Sequence, residues 1–68
     1  MIKRANRLLE RNMDWIRNNK EMVDIVESEY LYGNNIHTII NHHPEDLTLD
    51  RVFAIIDYKG LRQLKRAN

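Results

Sequence analysis

Sixty-eight residues with no cysteine and a net charge of +1 make one domain at most, exclude disulfides and thiolate zinc sites, and give no sign of an oxidising compartment. A chain this short buries only about 60% of the surface it exposes when unfolded, so tight helix packing or homodimerisation has to supply the missing stability. No apolar run nears the roughly 18 residues of a membrane span, and the basic N-terminus lacks the apolar stretch of a secretory signal. The expectation is a cytoplasmic protein with no membrane partner.

The near-neutral total conceals an uneven layout. Residues 1–20 carry six basic side chains against Glu10 and Asp14, residues 21–58 carry eight acids against Arg51 alone, and residues 59–68 add four basic side chains, for local nets of +4, −7 and +4. Such an order either clamps basic ends onto an acidic middle or presents the ends to an anionic partner.

Four helices are predicted in chain order. Over about 2–18, a 100° step per residue gathers Ile2, Ala5, Leu9, Met13 and Ile16 on one side, with Leu8 and Trp15 at its edge and every charge opposite. Asn18, followed three residues later by Glu21, resembles a capping box that opens a second helix over about 20–32, with Met22, Val23, Ile25, Val26 and Tyr30 inward. Gly33 is its expected left-handed stop. Asn34 or Asn35 caps a short third helix, about 35–43, with Ile36, Ile39 and Ile40 inward and Pro44 ending it. Thr48 caps a fourth, about 48–58, with Leu47 and Val52 as a hydrophobic staple and Leu49, Val52, Phe53 and Ile56 inward. Gly60 either bends that helix or lies within a continuation to about 66. Leu61 and Leu64 drift off the earlier apolar stripe, which favours the bend. The fold expected is all-α, a compact bundle of three to four short helices with a radius of gyration of about 11 Å if monomeric.

Several residue groups carry possible function. Lys3, Arg4, Arg7 and Arg11 lie on adjacent turns of the first helix, and Arg62, Gln63, Lys65 and Arg66 close the chain. Basic stripes of this kind supply salt-dependent phosphate contacts, while Arg and Gln suit guanine and adenine edges in the major groove. Residues 48–57, 58–60 and 61–67 then read as a helix-turn-helix, although Ala54 and Gly60 are six apart rather than about four and the second helix is barely two turns long. The plainer reading of both stripes is a solvated face partly paired with the acidic residues.

Trp15 shares a ridge with Leu8 and follows Arg11 by four residues, a combination typical of binding hot spots; the alternative is core packing with the indole N–H at the boundary. Asp24, Glu27 and Ser28 form an acidic outer face on the second helix. Glu29 projects among Met22, Ile25 and Val26, where an apolar residue is expected; splaying of the helix end toward solvent is the favoured explanation over a basic side chain meeting it. His37, His42 and His43 lie near Glu45 and Asp46, yet their projections differ by more than 90°, so one helix face does not gather them as metal ligands.

No metal, cofactor or small-molecule substrate is expected. There is no cysteine nucleophile, no glycine-rich phosphate loop and no Ser-His-Asp arrangement, and so small a unit leaves little volume for a pocket of roughly 300 Å³. The function expected is a small non-enzymatic regulatory or interaction protein, binding another protein or itself through Leu8, Arg11, Trp15, Asp24, Glu27 and Ser28. Size, absence of cysteine and richness in Asn and Ile fit a small phage, plasmid or bacterial accessory protein. The alternative is a small DNA-binding transcriptional regulator using the C-terminal segment and the basic N-terminal helix.

Overall fold

The punctuation residues decide where each helix stops. The computed structural model describes residues 4–62, which form α1 (Arg4–Asn18), α2 (Lys20–Tyr32), α3 (Ile36–His42) and α4 (Leu49–Lys59) and no strand. Gly33 takes φ +117°, its N–H donates to the Tyr30 carbonyl and the Asn34 N–H donates to the Glu29 carbonyl. That pair of bonds is a Schellman closure, which satisfies two of the carbonyls a helix end leaves open. Asn35 and Thr48 cap α3 and α4 as expected, Asn35 Oδ1 accepting from Thr38 N and Thr48 Oγ1 from Arg51 N. Gly60, at φ +64°, ends α4 with its N–H on the Asp57 carbonyl. The last helix therefore breaks rather than running on, and a new helical turn begins at Leu61 and Arg62.

The α1–α2 junction departs from the expected capping box. Asn19, not Asn18, is the N-cap of α2, and its side chain caps nothing ahead of it. It turns back instead, Nδ2 donating to the Trp15 carbonyl at 2.7 Å, and so closes the end of α1.

Helix α4 is the centre of the bundle and touches each of the other three. Val52, Ala54, Ile55 and Ile56 are all buried, on both sides of the helix, and they meet Ile16 of α1, Val23 and Val26 of α2 and Ile39 of α3 in one core. Leu47 and Leu61 close that core from just before and just after α4. Leu9, Met13, Trp15, Met22, Tyr30, Ile36, Ile40 and Phe53 pack around it. Two residues assigned to inner faces lie outside: Ile25 is 38% exposed and Leu49 is 46% exposed. Ile25 sits past the edge of the arc that faces α4, and Leu49 occupies the first turn of α4, beyond the reach of the core. The Cα radius of gyration, 11.5 Å, agrees with the size expected of a compact bundle. Among the described residues no helix is long and apolar enough to cross a membrane.

Candidate interaction surface

The one basic residue of the acidic segment covers the one tryptophan. The Arg51 guanidinium lies 4.5 Å from the centroid of the Trp15 ring, and its Nη1 donates to the Asp46 carbonyl at 2.8 Å. The carbonyl fixes the planar guanidinium over the indole face, where the ring quadrupole attracts a cation. Trp15 thus packs against the core beneath and carries Arg51 above. Leu8 beside it is half-buried, and only Arg11 of that ridge stands free in solvent. The ridge does not present an open aromatic anchor.

The acidic face of α2 is partly answered within the chain. Lys59 Nζ lies 3.2 Å from Glu27 Oε1 and 3.4 Å from Asp24 Oδ1. The hydrogen bond to Glu27 is the main reason the lysine is held above its usual value; desolvation opposes it, and the charges of Glu27 and Asp24 add to it. Arg62 reaches Asp57 at 3.3 Å, and Arg17 reaches Asp14 at 3.1 Å. Among the described residues Arg7 and Arg11 are exposed and make no ion pair. Among the described residues the basic ends meet the acidic middle at two places, Lys59 on Asp24 and Glu27 of α2 and Arg62 on Asp57. Ser28 is exposed. Lys3, Gln63, Lys65 and Arg66, together with the side chain of Arg4, lie outside the described residues.

Glu29 corrects the expectation of a splayed helix end. Its Oε1 lies 2.8 Å from His42 Nδ1 and its Oε2 lies 2.9 Å from His43 Nε2, with the Asn34 amide at 3.4 Å. Partial burial pushes this carboxyl up; the hydrogen bonds from His43 and His42, the electrostatic influence of His42 and the Asn34 amide together outweigh it and hold the group below the usual carboxylate range. The two histidine rings stand edge to face, 6.2 Å apart. Helical projection separates His42 from His43 correctly, but α2 brings one carboxylate between them, one oxygen for each ring. Among the described residues no three His, Cys, Asp or Glu side chains are grouped to hold a metal ion. The cluster is a hydrogen-bonded clamp from α2 to the end of α3. His37 stays exposed on the other side of α3.

The surface also carries exposed apolar groups and concavities that a reading of the core stripe does not reveal. Tyr32 is 84% exposed, and Leu31, like Leu49, is 46% exposed. On α2, Ile25, Ser28 and Tyr32 follow one another on the outward side with Asp24 and Leu31 alongside, so this helix has apolar residues on two faces. A groove of about 470 Å³ runs between the end of α2 and the starts of α3 and α4, lined by Tyr30, Asn35, Ile36, His37, Leu49 and Phe53. Another, of about 430 Å³, lies at the α1–α2 junction and is lined mainly by polar residues, Arg17 to Glu21 with Met22, Ile25 and Asp46. The volume that seemed too large for such a unit lies in these open depressions between helix ends.

Comparison with protein-family models, curated proteins and solved structures finds no match to this chain. The functional reading rests on the surface itself.

Proposed function

We propose that this chain is a non-enzymatic protein-interaction module whose working surface is the outward side of α2. The observation that supports the reading is the second apolar face of that helix: Ile25, Leu31 and Tyr32 face solvent in a chain whose core is already closed by Val23 and Val26 on the opposite side. A helix apolar on both sides needs two partners, and α4 is only one of them. Asp24 and Ser28 border these residues and give a partner polar and charged contacts at the rim.

Ile25→Lys tests this reading. It places a charge at the N-terminal end of the face without touching the core. Purified wild-type chain carrying a photo-crosslinker at Ser28 should give a discrete adduct in extract of its native cell, and Ile25→Lys should remove that adduct while the helical circular dichroism spectrum stays unchanged. An adduct indifferent to Ile25→Lys would sink the reading. Trp15 serves as the contrast, because beneath Arg51 its loss should lower stability before it alters any partner contact.

The DNA-binding alternative has less behind it. Arg62 is the one base-reading candidate of the C-terminal segment among the described residues, and it is engaged with Asp57.

A further inference from the structure

Residues 30–44 contain no Asp, Glu, Lys or Arg, in a chain where those four types make up 31% of the residues. This stretch spans the end of α2, the Gly33 turn and all of α3. Its surface holds Tyr32, the most exposed large apolar side chain among the described residues, and it forms one wall of the groove lined by Tyr30, Asn35, Ile36, His37, Leu49 and Phe53. No residue lining that groove is acidic, and none is Lys or Arg.

We propose that this face seats a second copy of the chain across a two-fold axis, the Tyr32 ring of each copy entering the groove of the other. The inference rests on the reading of the chain as a protein-binding module and names its partner. The first argument is charge complementarity. A two-fold axis lays a surface patch on its own image, so a patch of one sign meets the same sign. The outer side of α1 exposes Arg7, Arg11 and Arg17 beside Glu10 and Asp14, and the start of α2 exposes Lys20, Glu21 and Asp24, so a two-fold contact there has to avoid setting like charges together. The surface around residues 30–37 can be set against itself without that repulsion, and depletion of charge with enrichment of aromatic residues is what marks the centre of an interface.

The second argument is placement. Tyr32 is the last residue of α2, and Asn35, which lines the groove, caps α3 three residues later, so knob and groove both belong to the α2–α3 junction and a two-fold axis there seats each knob against the other copy's groove. Asn35 and His37 give the groove polar groups suited to a phenol hydroxyl, which an apolar knob would leave unused. The third argument is area. An aromatic side chain buries about 150–250 Å². Two tyrosines, the exposed halves of Leu31 and Leu49 and the groove walls together bring the total to roughly 1,000 Å², at the low end for a specific pair. The dimer is therefore weak and concentration-dependent.

Sedimentation equilibrium of the full chain, from low micromolar to about 1 mM, is the test, run at low and at high salt. The expected result is a monomer–dimer equilibrium that does not weaken as salt rises, because the contact holds no ion pair. Tyr32→Ser, a change at an exposed position, should weaken the dimer at least tenfold, with Leu49→Lys as an independent second variant. In an equal mixture of carbon-13-labelled and unlabelled chain, isotope-filtered NOEs should connect the Tyr32 ring to the methyl groups of Ile36 and Leu49. A monomer at every concentration overturns the proposal, as does a dimer that dissolves in salt, that survives both substitutions or that lacks those NOEs. A monomeric chain that still gives the Ile25-dependent adduct would retain the protein-binding reading and remove the second copy as its partner.

Discussion

His43 Nε2 stands 2.9 Å from Glu29 Oε2, joining the last turn of α2 to the C-terminal end of α3. The contact adds a polar tie between two helices whose Val26 and Ile39 share the apolar core. Glu29→Ala leaves two imidazoles without their acceptor, one of them mostly shielded from water. The expected cost is about 1–3 kcal/mol, which in a domain of this size lowers the melting temperature by several degrees. A double-mutant cycle with His43→Ala should return a coupling of at least about 0.5 kcal/mol. A coupling of zero would mean the pair is incidental.

The same geometry dictates the histidine tautomers. A carboxylate only accepts, so each ring nitrogen facing Glu29 has to carry the proton. Neutral His42 is then the Nδ1–H form and neutral His43 the Nε2–H form, opposite assignments in adjacent residues. Long-range nitrogen–proton correlation spectra read this directly. Finding both rings in one tautomer would contradict the clamp.

Acid stability follows from the sign of the Glu29 shift. Its folded-state value is depressed below the ordinary 4.5, so its contribution is complete above that value and disappears as pH falls through the folded one. Wild type and Glu29→Gln should therefore differ most in urea unfolding above the ordinary value of 4.5 and converge as pH falls through and below the depressed folded-state value. Lys59 runs the other way. Its value is raised above 10.5, so the stability it brings is present below that and is lost only as pH climbs beyond it.

Helix existence and most of the core were legible because they depend on local periodicity and punctuation. Gly33, Asn35 and Thr48 acted where a cap is chemically needed, and Ile16, Val23, Val26, Ile39, Val52 and Ile56 fell on the expected stripes. What escaped depends on helices meeting in space. The burial of Ala54 and Ile55 follows from α4 having neighbours on more than one side, which its own sequence does not state. Glu29 looked misplaced because its partners lie 13 and 14 residues away. A carboxylate in an apolar stripe, followed by a glycine stop and a histidine pair, was the available signal. The groove beside Tyr32 was invisible for the same reason, since three separate helix ends build it.

Arg51 supplies a spectroscopic prediction. With a single tryptophan in the chain, Arg51→Ala uncovers the indole, and the emission maximum should move to longer wavelength with a stability loss of about 0.5–1 kcal/mol. Arg51→Lys should restore little of this, because an ammonium keeps the charge but not the flat surface or the fork that reaches the Asp46 carbonyl. Unchanged emission in Arg51→Ala would show that the arginine does not cover the ring in solution.

The two glycines separate conformational strain from steric clash. A Cβ at Gly33 or Gly60 would meet no atom within 4 Å, so any penalty for alanine there is the backbone's alone. Gly60, at φ +64° and ψ 32°, sits in the left-handed region that L residues enter at about 1–2 kcal/mol, and asparagine enters it more readily still. Gly33, at φ +117° and ψ 1°, lies outside that region, where a side chain is worse placed. Chemical denaturation should rank Gly33→Ala as more damaging than Gly60→Ala, with Gly60→Asn closest to wild type. Gly60 also sets the direction in which the chain leaves α4, with Leu61 wholly buried just beyond it. The reverse ranking would mean that the bend at Gly60, rather than the Schellman closure at Gly33, is the more tightly determined of the two turns.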